Sequence, residues 1–451
     1  MLLTIDIGTT NFKSALWDYD GNRLAFAAMP LSISISDGAK HEADPSLWFS
    51  AFEQCCRKLG NLKSVEAIVI SGNGPTLVPV TEEPKSADLL VPNQARCHSA
   101  RLWLDRRAEK YQDEVSAVMG GFVDASFFLP KIVGIKNDEI ELYNKTRFFL
   151  GCPEYLAYKL TGQAKNVFPS DGFDRWFWND DVLKTLNLDA EKFPAFIRPG
   201  DQFGIITSQI AEHFGFAKNI PVISGGPDFF AAILGSGVSE PGEALDRTGS
   251  SEGINLCTLN HVQDKRLMSY AHPIKPFWNV SGIINTSGKA IEWGCKVLGI
   301  DSFDDFIALA KTSKKGSGGL VFSPYLAGGR SPVPSRSVSA CWEGISLACG
   351  REDFANSILE GIAFAIKDVL AVMQEKGEKA KHLRVTGGLA DCVYLNQMKA
   401  DICGLEVLEG AHKEAELLGL AIIGSCFMEK YASYKEASSV LYRVKKRYAP
   451  I

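Results

Sequence analysis

A short pattern occurs twice in this chain, and it constrains the fold more than any other feature. The first copy is Asp6-Ile7-Gly8-Thr9-Thr10-Asn11, between the strand-like runs Leu2-Leu3-Thr4-Ile5 and Phe12-Lys13-Ser14-Ala15-Leu16-Trp17. The second is Asp246-Arg247-Thr248-Gly249-Ser250-Ser251, leading through Glu252-Gly253 into apolar Ile254-Asn255-Leu256-Cys257. An acid, a glycine and hydroxyl residues next to β-formers read as strand, tight turn, strand. Two such hairpins, each near the start of a half, point to an internal duplication. The length of 451 residues agrees, because single cores stop growing at about 250–300 residues. The expected domains are residues 1–237 and 238–451.

A turn of this kind can hold a phosphate: glycine lets backbone N–H groups point inward, and hydroxyls add donors without bulk. In the first turn, Gly8, Thr9, Thr10 and Asn11 would supply those donors and Lys13 a positive charge. Asp6, at the strand end, can orient water on Mg²⁺. An ordinary hairpin turn is the plain alternative. P-loop and Rossmann chemistry lose their support, since neither GxxxxGK[ST] nor a GxGxxG between strand and helix occurs. A net charge of -5 provides no bulk attraction to nucleic acid or an anionic membrane, so any phosphate must be held locally. No uncharged apolar run is long enough to cross a bilayer and no secretory leader opens the chain, so a cytoplasmic location is expected. The 11 cysteines show no CxxC pairs and read as reduced thiols in apolar surroundings, as at Cys55 and Cys56.

Along the chain, apolar spacing predicts a helix from Pro45 to Leu59 with Asp44 as N-cap, and another from about Ser99 to Met119. Strands are expected at Val65–Ile70, ending in Ser71-Gly72-Asn73-Gly74, and at Ile220–Ser224, ending in Gly225-Gly226-Pro227-Asp228 before a helix over 229–235. Helices follow near 288–298, 302–313, 353–375, 392–403 and 414–428, with a strand at Leu383–Thr386 and a surface loop over Lys311–Gly319. The alternation argues α/β layers.

Asp228, where a strand ends and a helix begins, can reach a substrate hydroxyl as a general base; capping its helix is the equal alternative. Gly387-Gly388-Leu389 after a strand suits close approach of a flat ring or a phosphate, or is a plain turn. Trp103, Asp105 and Arg107 stand at i, i+2 and i+4, so on a regular helix Asp105 diverges from the other two and an Asp–Arg surface pair is the plain reading. Gly249-Ser250-Ser251-Glu252-Gly253 also satisfies GxSxG, with His261, His272, His382 or His412 as possible bases. That elbow requires a helix after the serine, whereas a strand-like run follows.

Taken together, these residues resemble the FGGY family of carbohydrate kinases, in the sugar kinase, Hsp70 and actin superfamily. The strongest piece is Ala340-Cys341-Trp342-Glu343-Gly344-Ile345, with Asp353-Phe354 and Ser357-Ile358-Leu359-Glu360 downstream, which looks like the family's C-terminal signature. Gly319–Pro332, Leu102–Ala108, Leu160-Thr161-Gly162, and Thr386–Ala390 with Gln397 and Ala400-Asp401 are similar to family segments in the same order. The N-terminal signature keeps Pro130-Lys131 but has Gly134 in place of a Trp and Phe128 in place of a small residue. Ser71-Gly72-Asn73-Gly74-Pro75 stands where the family's pentulose kinases carry Gly-Gln-Met-His-Gly.

The resemblance implies two actin-like (ribonuclease H-like) domains, each a mixed sheet flanked by helices, closing on a cleft that holds MgATP and a sugar. It puts Gly8, Thr9, Thr10, Asn11 and Lys13 on the first phosphate hairpin and Thr248, Gly249, Ser250 and Ser251 on the second. Gly387, Gly388 and Leu389, with residues 414–419, fall on the adenosine side, and Asp228 on the catalytic base. Asn73, Trp103, Asp105 and Arg107 join Asp228 around the acceptor, and Asp6 and Asp228 hold Mg²⁺ through water. The implied activity is ATP-dependent phosphorylation of a sugar or polyol hydroxyl by a monomer or homodimer. A pentulose such as D-xylulose leads as acceptor, with gluconate, glycerol or another polyol behind it. An actin- or Hsp70-like nucleotide-binding protein without small-molecule kinase activity is the alternative of another class.

Overall fold

The computed structural model describes every residue except 37, 82–98, 334, 336 and 377. The chain forms two compact units: Met1–Ala231 with Glu416–Leu441, and Ala232–Ala415 with Tyr442–Ile451. The first thus ends six residues before the expected division at 237, and the chain returns to it near its end. Two glycines permit the return. A methyl group added at Gly424 would lie 2.8 Å from Val69 Cγ2, and one at Gly419 would strike the Ala231 carbonyl. Glycine spacing within a helix does not reveal which distant strand the helix will cover.

The sheet of the first unit runs Gln202–Ile205, Pro221–Pro227, Ala67–Gly72, Leu2–Ile7, Asn11–Trp17, Arg23–Pro30. Pro221–Pro227, Ala67–Gly72 and Leu2–Ile7 are mutually parallel; the other pairings are antiparallel. Every residue of Leu2–Ile7 and of Ala67–Gly72 is buried, as expected of central strands covered on both faces. The helix Pro45–Leu59 forms as read: Asp44 accepts the Ser46 N–H at 2.9 Å, Pro45 opens the first turn, and Trp48, Phe49, Phe52, Cys55 and Cys56 are buried.

In the second unit the order is Met268–Ala271, Trp278–Ile284, Glu252–Thr258, Glu243–Thr248, His382–Gly387, Glu406–Gly410, Val444–Tyr448. Its three parallel strands are Glu243–Thr248, His382–Gly387 and Glu406–Gly410. Apart from the added edge strand Met268–Ala271, this repeats the first sheet's order of parallel and antiparallel strands, with the repeated hairpins in corresponding places; at the far edge Val444–Tyr448 follows its neighbour Glu406–Gly410 in the chain, whereas Gln202–Ile205 precedes Pro221–Pro227. The duplication read from the turns therefore extends through both sheets. GxSxG lies in this second hairpin, where the strand Glu252–Thr258 follows the serines; no helix follows, so the hydrolase elbow is absent.

The expected helix from Ser99 to Met119 is α-helical only over Gln112–Met119, entered through the 3₁₀ turn Glu109–Tyr111. Ala100–Arg101 is a short strand, and Leu102–Arg107 is irregular. The reason is tertiary as well as local: the carbonyls of Arg101 and Leu102 accept from the distant Lys131, and Asp105 accepts the N–H of Arg107 at 3.2 Å. The family signature is architectural. Trp342 donates its indole N–H to Ser357 at 3.0 Å and stacks on Trp293. Glu360 accepts from Gly316 and Ser317, and Asp353 from Ser313 and Gly350, which fixes the loop over 311–319. Of the ten described cysteines, Cys55, Cys56, Cys152 and Cys257 are buried, whereas Cys341 is exposed, so the apolar setting expected of all of them fails there.

Candidate active site

In the first unit the chemistry collects where the three parallel strands end, the place where open α/β sheets bind ligands. Leu2–Ile7 ends in the turn Gly8–Asn11, Ala67–Gly72 ends at Asn73, and Pro221–Pro227 ends at Asp228. Gly8 donates its N–H to the Asn11 carbonyl at 2.9 Å, and a Cβ at Gly8 would lie 2.8 Å from that oxygen, so glycine is required. Asn11 Nδ2 donates to Thr10 Oγ1 at 3.2 Å. The Trp103 indole donates to Thr9 Oγ1 at 3.0 Å, which ties the irregular Leu102–Arg107 segment to the turn.

Asp6 is buried, faces Lys13 across the hairpin and accepts from Ser71 Oγ at 3.2 Å. Its carboxyl is pushed up to about 7, first by burial, then by the negative charge of Glu416, with Lys13 opposing and Asp228 adding to the rise. Three acids and one lysine therefore act on one another at these strand ends. Glu416, expected on the adenosine side, instead places its charge on Asp6. Nothing local in the sequence predicts this, because it follows from the chain's late return. Asp228 opens the helix Asp228–Gly235, is partly exposed, and accepts the neighbouring Phe229 N–H at 2.6 Å. The Phe229 ring stacks on Phe173.

The expected acceptor residues divide into two groups. Trp103 is partly exposed and directed at the hairpin. Asp105 is buried and bound to Arg107, at 2.8 Å from Nη2, and to the His41 N–H at 3.0 Å. Burial works to raise the Asp105 carboxyl, but the hydrogen bonds and charge of Arg107 outweigh it and hold the group below the usual carboxylate range. Arg107 also reaches Glu42 at 2.7 Å. This pair is thus an interior tie where a surface pair was the plain reading. Asn73 donates to the Ile7 carbonyl at 2.9 Å and accepts from Thr76 at 2.5 Å, joining two strand ends. Lys131 was noted in the sequence only as part of a signature. It is fully buried, its amine is pushed well down by burial, and it donates to the carbonyls of Pro75 and Leu102, each at 2.7 Å. One ammonium stem thereby holds both loops that carry the acceptor candidates.

In the second unit, Thr248 Oγ1 donates to the Thr386 carbonyl at 2.9 Å and accepts the Leu389 N–H at 2.9 Å. Gly388 donates to the Thr248 carbonyl at 3.2 Å, and Gly387 has φ +91° with no room for a side chain against that same residue. The Gly249 and Ser250 carbonyls accept from Gly288 at 2.9 Å and Ser287 at 3.1 Å, at the start of the helix Gly288–Leu298. The structure thus brings the second turn and the glycine pair together, with the Thr248 hydroxyl spent on joining them. His272, one of the possible hydrolase bases, is buried and accepts the Ile274 N–H at 3.0 Å; burial pushes its pKa down to about 3.

Two sheets with the same order of parallel and antiparallel strands, each with a Gly- and hydroxyl-bearing hairpin at the ends of its parallel strands, define a duplicated actin-like kinase fold. Models of the N-terminal and C-terminal domains of the FGGY family of carbohydrate kinases match residues 1–235 and 247–428. The chain belongs to that family and is a sugar kinase that transfers phosphate from ATP to a small-molecule acceptor. It is 26% identical to the xylulose kinase of Staphylococcus epidermidis, over 100% of this chain and 92% of that one. It is 24% identical to the gluconokinase of Bacillus subtilis, over 98% of this chain and 90% of the other. The crystal structure of ligand-bound xylulose kinase from Lactobacillus acidophilus superposes with a TM-score of 0.85 at 20% identity, over 100% of this chain and 94% of that one. Among the described residues no helix is long and apolar enough to cross a membrane.

Proposed function

We propose that the acceptor is a pentulose such as D-xylulose and that Asp228 takes the proton from its attacking hydroxyl. The observation that carries this reading is the position of Asp228: a partly exposed carboxylate at a parallel-strand end, in one unit with the first hairpin, Asp6 and Lys13. In-line phosphoryl transfer needs an aligned hydroxyl, donors on the phosphate oxygens and an acceptor for the departing proton. In the first unit the Gly8–Asn11 turn and Lys13 supply donors and charge; in the second, Gly249, Ser250 and Ser251 supply donors next to Thr248. Gly387, Gly388 and Leu389 take the adenosine, and Trp103 shields the acceptor next to Thr9. On this reading residues 1–237 carry the sugar, the first hairpin and the base, and residues 238–451 carry the nucleotide.

The Asp6, Asp228 and Glu416 charges suit a hard divalent cation with oxygen ligands. On this reading Asp6 and Asp228 would hold Mg²⁺ through water. Bound there, Mg²⁺ would offset charge on the transferring phosphate.

Close identities to both a xylulose kinase and a gluconokinase keep gluconate, with glycerol and other polyols, as the second reading of the acceptor. The test is an ATP-consumption screen of the purified chain against ketoses, aldonates and polyols. Stimulation by D-xylulose above all others is expected. Stimulation by an aldonate or polyol alone would replace the acceptor, and no stimulation by any would overturn the reading.

A further inference from the structure

The second hairpin stands on a buried charge cluster that the phosphate-binding roles leave unused. Asp246, Glu252 and Lys399 are each 0% exposed. Lys399 Nζ donates to Asp246 Oδ2 at 2.5 Å and to Glu252 Oε1 at 2.8 Å. Asp246 lies two residues before Thr248, Glu252 follows Ser251 directly and pairs with Thr248 across the hairpin, and Lys399 comes from the helix Val393–Cys403. One ammonium therefore binds both strands of the hairpin to the helix behind them. The remaining oxygens, Asp246 Oδ1 and Glu252 Oε2, have no hydrogen-bond partner.

Two carboxylates sealed from water cannot both stay ionised beside a single cation. Burial and the charge of Glu252 push the Asp246 carboxyl well up, with the charge of Lys399 opposing them. In the first hairpin the buried acid Asp6 faces a cation of the hairpin itself, Lys13. In the second, Asp246 faces Ile254 across the hairpin, and its cation comes from another element. Without it, negative charge would remain at the base of a turn meant for phosphates, in a low-dielectric interior where repulsion is strong.

We propose that Lys399 is a positioning residue for the nucleotide: it neutralises the acids beneath the second hairpin and locks its two strands, so that Gly249–Ser251 meet the phosphate chain without opposing charge. This rests on the kinase reading above. Affinities for ADP and for adenosine, measured by calorimetry on the full chain, separate charge from structure. Lys399→Met should weaken ADP binding on the order of ten- to hundredfold while adenosine binding changes little. The variant carrying Asp246→Asn, Glu252→Gln and Lys399→Met together should bind ADP nearly as wild type does, because no charge is left to oppose it. Unchanged ADP affinity in Lys399→Met, or equal losses for ADP and adenosine, overturns the proposal. If Lys399→Met does not fold, the triple variant decides: folding with ADP bound supports the proposal, and failure to fold or to bind overturns it. Wild-type protein that binds no ADP would overturn the kinase reading first and this proposal with it.

Discussion

Asp6 shows how an acid is held against the preference of the fold. Its carboxyl stays protonated up to about pH 7 in the folded chain, whereas in the unfolded chain it ionises near 3.8. The folded state therefore binds more protons between those values, and the stability contribution present below pH 4 is lost as pH rises through 7. Asp6→Asn should remove that loss: at pH 8 it should raise the melting temperature, with a gain in stability of up to about 4 kcal/mol, while turnover collapses. Thermal melts at pH 5 and pH 8 check this, since the gain should be clearly larger at the higher value. The same scale shows what residue types can and cannot reveal. The turn after Ile7 and the strand end before Asp228 were legible because turn chemistry and strand ends restrict which residues fit. The engagement of Asn73, Asp105 and Thr248 was not legible, because a side chain's partners from distant segments leave no mark at its own position.

At the scale of elements, the loops matter more than the helices. The segment Leu102–Arg107 carries a helix-like sequence and is not a helix, since Lys131 from the helix Phe128–Asp138 captures its carbonyls. Pro130-Lys131 was visible as part of a motif, but the lysine's partners are tertiary. Lys131→Met should leave those carbonyls without a donor, at a cost of about 2–4 kcal/mol. Where the variant still folds, the Michaelis constant for the acceptor should rise far more than that for ATP; equal changes in both would argue against an acceptor-loop role. The C-terminal signature behaves oppositely. Trp342 sits among Trp293, Phe322 and Phe354, so Trp342→Ala should lower stability by about 3 kcal/mol with little change in turnover per folded molecule. Denaturant unfolding together with active-site titration separates the two quantities.

At the scale of the whole molecule, the duplication was readable from two six-residue turns because a turn in which glycine and hydroxyls must face one way tolerates few sequences. The late return of Glu416–Leu441 to the first unit was not readable, since it depends on which sheet an apolar helix covers. That return brings the charge of Glu416 to Asp6, on which Asp228 also acts. If Asp228 removes the proton of the acceptor hydroxyl, as proposed, the rate of acceptor-stimulated ATP consumption by Asp228→Ala shows it. The expected result is a fall in kcat of about two to four orders of magnitude with the melting temperature preserved. A variant that folds normally and turns over near the wild-type rate would contradict it.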